Sequence, residues 1–456
     1  MKGCVISAPM TGSGKTTVTL GLLTALRKRG IAVQPFKVGP DFIDPGLHAL
    51  AAGVPSHNLD GWMLTREANE WLFARACEGK DVAVVEGVMG LFDGFDGKTE
   101  TGSTAEMAKW LDVPVILVID VHPMARSAAA IIRGFQSFDA GVKIAGVILN
   151  RVAGEKHFRL IEDSVPDVPI LGWLPAEPSI EIPERHLGLF TANEELTVSR
   201  IRAIGEFFDA HIDVENLLNS PPKLGGGPSE AKRGGSQKNH PGFAHFVREA
   251  TPPNLGGELP QTKRVAIAHD KAFSFYYHAN RLELESAGAK IVEFSPLSDT
   301  EVPEADLLYI GGGYPELYRH ELASNSRMLA SIRRFIESGK KFYAECGGLM
   351  YLAESIDAVR MAGVVPVQIE MTERLVDVGY CEIRTNSSSI HGARGTTARG
   401  HQFQYSRLVG GAGGGYTVKQ GQREYAEGFI FPNGIASYIH LHFLSNPALA
   451  RNMLNS

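Results

Sequence analysis

The amino-acid sequence predicts an α/β protein in which two parallel-sheet domains are joined by a polar linker. Short apolar runs alternate with amphipathic helical patterns in both halves, and a glycine-containing loop follows the first apolar run. A stretch rich in proline and glycine separates the halves. Fully apolar strands separated by helices are typical of parallel sheets that are covered on both faces.

Composition narrows the class of protein. The 456 residues, 44% of them hydrophobic, suffice for at least two cores. The formal net charge of -6 argues against a general nucleic-acid binder. Four dispersed cysteines are too few for a disulfide framework, and apolar runs such as 113–119 are too short to span a membrane. We therefore expect a cytoplasmic protein without nucleic-acid or membrane partners.

The loop after the first apolar run is typical of a phosphate-binding site. Positions 9–17 read Pro-Met-Thr-Gly-Ser-Gly-Lys-Thr-Thr and precede a helical pattern. The glycines let backbone N–H groups approach a phosphate, the lysine supplies positive charge, and the threonine after it can coordinate Mg2+. Pro9 stands where the consensus has its first glycine. We assign ATP or GTP contacts to six loop residues: Gly12, Ser13, Gly14, Lys15, Thr16 and Thr17.

Five apolar runs predict the strands of the first sheet, at 4–7, 32–37, 82–86, 115–119 and 144–149. Ligands collect at the carboxyl ends of parallel strands, so the polar residues there are site candidates. Lys37, Asp41 and Asp44 follow the second strand, and Glu86 ends the third. An acidic residue at the end of a strand near a phosphate loop usually binds Mg2+ or a water of its shell. We therefore expect Glu86 to have this role, with Asp41 and Asp44 as further candidates.

Some of these residues fit a second interpretation. Asp41 and Asp44 adjoin prolines, and each alone also fits a helix cap or a turn. Asn150, after the fifth strand, could read an adenine edge with its amide, but a turn asparagine explains it nearly as well. The polar cluster 182–189 is either an exposed loop or a binding site for an anionic substrate.

The linker is predicted from about 219 to 262, where proline, glycine and polar residues show no sustained period. Such a composition cannot bury enough surface to offset its ordering entropy. We expect a flexible connection with one short helix near 243–249.

The second half contains a candidate nucleophile. Cys346 follows an apolar run and precedes two glycines and a helical pattern, which predicts a tight strand-to-helix turn that exposes its thiol. Positions 437–443 alternate, so His440 and His442 are expected on one strand face. A thiolate needs a base, usually a histidine. A lone cysteine is more often a buried apolar residue, but this combination favours a catalytic pair.

Taken together, these segments resemble the cobyrinic acid a,c-diamide synthase family over nearly the whole chain. The resemblance is carried by residues 36–41, 85–94, 183–189, 344–352 and 437–443. The first half also resembles dethiobiotin synthetase, and the second resembles class I glutamine amidotransferase domains. The resemblance implies a P-loop parallel-sheet domain at 1–218, the linker at 219–262 and a class I glutamine-amidotransferase-like α/β domain at 263–456.

The resemblance also implies the chemistry. Cys346 would attack the carboxamide of glutamine, with His440 moving the proton and backbone N–H groups at Gly312 and Gly347 stabilising the oxyanion. The wider class has a glutamate two positions after its histidine, where this chain has His442. What orients His440 is therefore open.

At the nucleotide site, ATP would convert a carboxylate into an acyl phosphate. Its charge would be neutralised by Lys15, by Lys37 and by Mg2+ held by Thr16, Asp41 and Glu86. Ammonia would then form the amide.

The implied substrates are a cobalt corrinoid polycarboxylate, amidated in turn at its a and c acetates, with glutamine and ATP. Candidate substrate contacts are Asp44, Arg151, Arg185 and His186. A homodimer is a possible assembly. The alternatives are a synthase for another macrocycle (hydrogenobyrinate or nickel sirohydrochlorin), a cobyric acid synthase, or a nucleotide-switched ParA/MinD-like binding protein. Met10, where MinD-like ATPases have a lysine, argues against the last.

Overall fold

Each half of the chain contains a mainly parallel sheet, which confirms the predicted fold class. The structure is a computed structural model that describes residues 2–180, 182, 195–219, 262–411 and 413–455. The predicted site residues Arg185 and His186, and the helix expected near 243–249, lie outside these ranges. So does nearly all of the predicted linker, and the domain boundaries therefore stay a prediction.

The first sheet has seven parallel strands in the order β3-β2-β4-β1-β5-β6-β7. Since β1 lies between β4 and β5, the chain changes direction across the sheet at the carboxyl end of β1, where ligands of such folds bind. The strands are β1 (Lys2–Ser7), β2 (Val33–Val38), β3 (His57–Leu59), β4 (Val82–Glu86), β5 (Val115–Asp120), β6 (Ile144–Val152) and β7 (Ile170–Pro175).

Helices flank this sheet. Helix α1 starts directly after Gly14, whose φ of 97° suits a residue without a Cβ, and it buries an apolar face against the sheet. The helices are α1 (Lys15–Lys28), α2 (Ile43–Ala52), α3 (Arg66–Ala76), α4 (Thr104–Trp110), α5 (Ser127–Phe138), α6 (Glu155–Glu162), α7 (Glu195–His211) and α8 (Val214–Asn219).

The second half is built on a six-stranded sheet in the order β10-β8-β11-β13-β23-β22, in which β22 alone runs antiparallel to its neighbour. Its strands are β8 (Lys263–Ala268), β10 (Ala289–Phe294), β11 (Leu307–Ile310), β13 (Lys341–Glu345), β22 (Phe429–Phe431) and β23 (Gly434–Ser437). Its helices are α9 (His278–Ser286), α10 (Arg319–Ser324), α11 (Ser326–Glu337), α12 (Gly347–Leu352) and α13 (Ala448–Asn455).

Three smaller sheets complete this half. A two-stranded ribbon pairs β9 (Phe273–Phe275) with β12 (Gly312–Gly313). The four-stranded sheet contains β14 (Ser355–Ile356), β15 (Val359–Arg360), β16 (Gln368–Met371) and β19 (Ser406–Val409). The five-stranded sheet contains β17 (Asp377–Thr385), β18 (Thr397–Gln404), β20 (Tyr416–Gln420), β21 (Arg423–Glu427) and β24 (His440–Leu441).

One local expectation was wrong. The sequence from about 273 to 287 has a helical pattern, but the helix begins at His278, because Phe273–Phe275 pairs with the glycine strand β12 instead. The strand that carries the histidines ends at Leu441, and His442 packs against Tyr277 with ring centroids 4.6 Å apart.

The two halves pack together in one compact unit. The Tyr380 hydroxyl donates to Asp60 Oδ2 at 2.7 Å, and the Tyr380 ring stacks on Trp62 at 4.9 Å. Arg399 Nη1 also donates to the carbonyl of Trp62, at 2.9 Å. In the part of the chain that the structure describes, no helix is both long and apolar enough to cross a bilayer.

Candidate active sites

The glycine loop between β1 and α1 is braced from both sides. Ser13 Oγ and Lys15 Nζ both donate to the carbonyl of Met10, at 3.0 and 3.2 Å. Asn150 Nδ2 donates to the carbonyl of Ser13 at 3.0 Å, and a Cβ on Gly14 would collide with that amide. Asn150 therefore holds the loop in shape, and its expected contact with adenine stays a prediction.

The environment of Lys15 favours binding of an anion. Its ammonium group is largely buried, and this burial, together with the nearby Lys37 ammonium, lowers the pKa of Lys15 to about 8. A nucleotide phosphate would supply the negative charge that this lysine lacks. Thr16 and Thr17 follow it in the first turn of α1.

Arg151 lies beside the same loop. Its Nη1 donates to Asp120 Oδ2 at 2.6 Å and to the carbonyl of Gly12 at 3.4 Å. The pair with Asp120 holds the guanidinium next to the nucleotide position, and its role toward a corrinoid stays a prediction.

Glu86 is the centre of a buried network at the end of β4. Its Oε1 accepts from Thr16 Oγ1 at 2.8 Å and from Lys37 Nζ at 2.9 Å, and its Oε2 lies 2.8 Å from His48 Nε2. Lys37 also pairs with Asp44 Oδ2 at 2.7 Å. The structure therefore brings five residues together, four of which the sequence singled out.

The charges in this network stabilise one another. Burial alone would raise the pKa of Glu86, but Lys37 and His48 hold it well below its usual range. Burial likewise disfavours the Lys37 ammonium, yet Asp44 and Glu86 raise its pKa. Glu86 and Lys37 are therefore charged together.

The residues present fit Mg2+. Thr16 Oγ1 and Glu86 Oε1 are hard oxygen donors 2.8 Å apart, directly after the phosphate loop. Mg2+ usually takes one or two protein carboxylates and completes its shell with phosphates and water. Among the described residues, no group of three or more His, Cys, Asp or Glu side chains is arranged to hold a metal ion.

Asp41 has a capping role. Its Oδ1 accepts from the backbone N–H groups of Ile43 and Asp44, at 2.8 and 3.1 Å, which satisfies the first turn of α2. Its expected part in metal binding stays a prediction.

The thiol site lies on the turn between β13 and α12. Cys346 has φ 49° and ψ -104°, a strained conformation for a residue with a side chain, and its N–H donates to the carbonyl of Ser437 at 2.7 Å. Gly348 is required here, because a Cβ would collide with the carbonyl of Ile310. This geometry is that of the nucleophile turn that the sequence predicts.

His440 lies beside Cys346, close enough for the two side chains to interact electrostatically, and is almost completely buried. Burial alone would lower the pKa of His440, but Cys346 and then Glu345 raise it to about 9. Glu345 Oε2 lies 3.9 Å from His440 Nδ1. A carboxylate near His440 therefore comes from the residue immediately before Cys346, and its part in orienting His440 stays a prediction.

Backbone groups surround the pair. A Cβ on Gly347 would come within 3.0 Å of the Gly313 nitrogen, so these two chain segments are in close approach beside Cys346. A Cβ on Gly312 would collide with the His440 ring, whereas the Gly311 N–H is taken by the Tyr276 hydroxyl at 2.8 Å. Gly312 lies against His440 and Gly347 directly follows Cys346, and their role as oxyanion donors stays a prediction.

A cavity of about 460 Å³ joins the two halves. Cys346 and His440 line it from the second half, and Asp41 and Phe42 line it from the first. The segment 40–43, which directly precedes Asp44, therefore lines the same cavity as Cys346.

Three residues of the sites were missed by sequence reasoning. Glu345 stands next to the nucleophile, but its proximity to His440 depends on the pairing of distant strands. His48 binds Glu86 from α2, and Phe42 packs on His440 at 4.9 Å between ring centroids. The sequence could have pointed to Phe42 only through its position, because this aromatic residue stands between Asp41 and Asp44, two acids that the sequence singles out.

Comparisons with known proteins agree with this geometry. Residues 4–190 match the CobQ/CobB/MinD/ParA nucleotide binding domain, and residues 264–448 match the CobB/CobQ-like glutamine amidotransferase domain. The chain is 41% identical to a cobyrinate a,c-diamide synthase of Listeria monocytogenes, over 100% of this chain and 99% of that one. This chain belongs to the cobyrinate a,c-diamide synthase family.

Other members of the family are similarly close. The cobyrinate a,c-diamide synthase of Dehalococcoides mccartyi is 40% identical over 99% of this chain and 97% of its own. That of Salmonella typhimurium is 38% identical over the same shares. The predicted resemblance is thereby confirmed, with the nucleotide-binding domain followed by the amidotransferase domain.

Proposed function

We propose that this protein is a carbon-nitrogen ligase that amidates the a and c acetate carboxylates of cobyrinate in cobalamin biosynthesis, using glutamine and ATP. The observation that carries the proposal is the shared cavity. Cys346 and His440 line this cavity together with residues 40–43, and the next residue, Asp44, pairs with Lys37.

The first reaction frees ammonia. The Cys346 thiolate attacks the carboxamide carbon of glutamine, and N–H groups at Gly347 and Gly312 donate to the oxygen on which charge develops. His440 gives its proton to the departing nitrogen, and ammonia leaves. Water then hydrolyses the thioester to glutamate, with His440 taking a proton from that water.

The second reaction activates the acceptor. A carboxylate oxygen of the substrate attacks the γ-phosphorus of ATP, ADP leaves, and an acyl phosphate forms. Ammonia attacks its carbonyl carbon and phosphate leaves, which gives the amide. Lys15 and Lys37 stabilise the phosphate charge, and Asp44 orients the reacting group. Mg2+ held by Thr16 and Glu86 would add charge neutralisation at the phosphates.

A polycarboxylate needs cations, although the chain as a whole is acidic. Arg151, Arg185 and His186 are the proposed contacts.

We place the reaction in the cytoplasm, with no nucleic-acid or membrane partner. A homodimer is compatible with the scheme but supplies none of its residues.

The test is product analysis by mass spectrometry. The purified protein is incubated with ATP, Mg2+, cobyrinate and either glutamine or ammonia. We expect one and then two amides to form with either nitrogen source. Cys346→Ser should lose the glutamine reaction and keep the ammonia reaction, whereas Cys381→Ser, at a buried free cysteine of the same half, should keep both. Loss of both reactions in a folded Cys346→Ser protein contradicts the scheme.

A panel of macrocycles decides the substrate. Hydrogenobyrinate, nickel sirohydrochlorin and cobyrinate a,c-diamide are offered in parallel with cobyrinate. Preferential amidation of one of the other three would reassign the chain to that reaction. Nucleotide-dependent dimerisation without amide formation would instead support a nucleotide-switched binding protein.

A further inference from the structure

Phe42 occupies an unusual position between the two sites. It belongs to the first half, on the segment between Asp41 and Asp44, yet its ring packs among aromatic side chains of the second half. The centroid of Phe42 lies 4.9 Å from His440, 4.8 Å from Tyr277 and 5.2 Å from Phe275.

These contacts enclose the catalytic base. The His440 ring has His401 stacked on it at 5.1 Å and an interplanar angle of 17°, and Phe42 tilted against it at 53°. Gly312 approaches the same ring so closely that a Cβ could not fit. Phe42 is the part of this enclosure that comes from the nucleotide-binding half.

The same side chain lines the shared cavity beside Cys346 and Asp41. Two residues after Phe42, Asp44 pairs with Lys37 at 2.7 Å, and Lys37 donates a hydrogen bond to Glu86. The chain segment 42–44 thus connects the cavity beside Cys346 with the buried network of Lys37 and Glu86.

Apart from His440, the ring neighbours of Phe42 suit a neutral molecule. Phe275 and Tyr277 offer aromatic surface, and burial together with the neighbouring His440 holds the pKa of His401 well below its usual range. His401 is therefore uncharged at neutral pH and would not protonate a passing amine. Ammonia that escaped into water would be protonated and would lose its nucleophilic electron pair.

We propose that Phe42 is a positioning residue that couples the two reactions, by holding His440 in place and by sealing the junction between the thiol pocket and the acceptor site. This inference rests on the proposed function and names the residue on which its nitrogen transfer depends. Without the ring, ammonia would escape to solvent and ammonium from solvent would enter.

The experiment compares Phe42→Ala and Phe42→Leu with the wild type. The control is Phe158→Ala, which removes a half-buried ring of the first half that packs on Trp173, at 5.9 Å. Each protein receives ATP, Mg2+, cobyrinate and glutamine, and the ratio of glutamate to new amide is measured. A parallel reaction contains glutamine and 15N-labelled ammonium, and the isotope content of the amide is read by mass spectrometry.

The wild type and Phe158→Ala should form one glutamate per amide and incorporate little label. Phe42→Ala should release about threefold or more glutamate per amide, because small displacements of reacting groups strongly reduce productive transfer. Its product should also carry the label. Phe42→Leu, which keeps apolar bulk, should lie between the two.

A one-to-one ratio and an unlabelled product in Phe42→Ala would overturn the inference while leaving the ligase assignment intact. If Phe42→Ala does not fold, the same two readings on Phe42→Leu decide. Failure of the wild type to form amide from either nitrogen source would instead refute the proposed function itself. A merely structural role for Phe42 would lower all rates together and leave both readings unchanged, which also overturns the inference.

Discussion

Glu345 Oε2 lies 3.9 Å from Nδ1 of His440, so the carboxylate nearest the base comes from the residue that precedes the nucleophile. Its position is fixed by three donors: the Tyr309 hydroxyl at 2.8 Å, the Tyr343 hydroxyl at 2.6 Å and the Leu441 N–H at 3.0 Å. Glu345 is therefore a rigidly held, buried carboxylate beside His440.

Glu345→Gln should impair the glutamine reaction selectively. The amide oxygen can still accept from Tyr343 and Leu441, and the Tyr309 hydroxyl can turn to accept from the amide NH2. The neutral amide cannot stabilise the imidazolium that forms on His440. We expect kcat/KM for glutamine to fall roughly 100-fold, less than the about 10⁴-fold loss in triads whose carboxylate is directly hydrogen-bonded, because 3.9 Å is beyond hydrogen-bond length. Steady-state assays with both nitrogen sources check this, and an equal fall with ammonia would contradict it.

The glutamine reaction should have an alkaline limit near pH 9. Cys346 and Glu345 raise the pKa of His440 to about 9 from 6.5, so the imidazolium that protonates the departing ammonia persists up to that pH. Above it, kcat/KM for glutamine should fall about tenfold per pH unit. The pairing also stabilises the fold fully below pH 6.5, and this contribution is lost as the pH rises through 9.

Glu345→Gln tests whether His440 sets this alkaline limit. Removing a negative charge disfavours the protonated ring, so the alkaline limit should move about one pH unit lower. A limit that stays in place in the variant would show that another group controls it.

Sequence patterns predicted the elements of this fold where the local signal was strong. The apolar runs that became β1, β4 and β5 gave their strands within about two residues, and the glycine loop marked the start of α1 at Lys15. The short strand β3, His57–Asn58–Leu59, was missed because it has only one apolar residue and no alternation. The strand at Phe273 was assigned to a helix because its partner, Gly312–Gly313, has no strand propensity of its own.

For the site residues too, the sequence predicted what depends on neighbouring residues and missed contacts between residues that are far apart in the chain. Lys37, Asp44 and Glu86 were found because each follows a strand of one parallel sheet, and such strand ends converge. The Glu345 to His440 and Phe42 to His440 contacts join residues far apart in the chain, and they depend on how β13 pairs and on how the halves pack. No local pattern encodes that packing.

Lys37→Met should destabilise the first half strongly. It would leave the buried carboxylates of Asp44 and Glu86 without their cation, which costs about 3–5 kcal/mol in comparable sites. Urea unfolding followed by tryptophan fluorescence is suited to this test, because all four tryptophans lie between residues 62 and 173. A Lys28→Met control removes a pair with Asp209 in which Lys28 is 65% exposed, and should cost at most about 1 kcal/mol. Equal effects of the two substitutions would contradict the cooperative network.

Gly312→Ala should disable the thiol site without affecting the nucleotide site. The added methyl group would occupy the space of the His440 ring, which must then turn away from Cys346. We expect glutamine-driven amidation to fall roughly 100-fold, as when a catalytic group is displaced, while ammonia-driven amidation stays near the wild-type rate. Gly414→Ala is the matched control in the same half, because a Cβ there would meet nothing within 4 Å. If Gly312→Ala used glutamine as well as the control does, the close contact between Gly312 and His440 would not be part of the active arrangement.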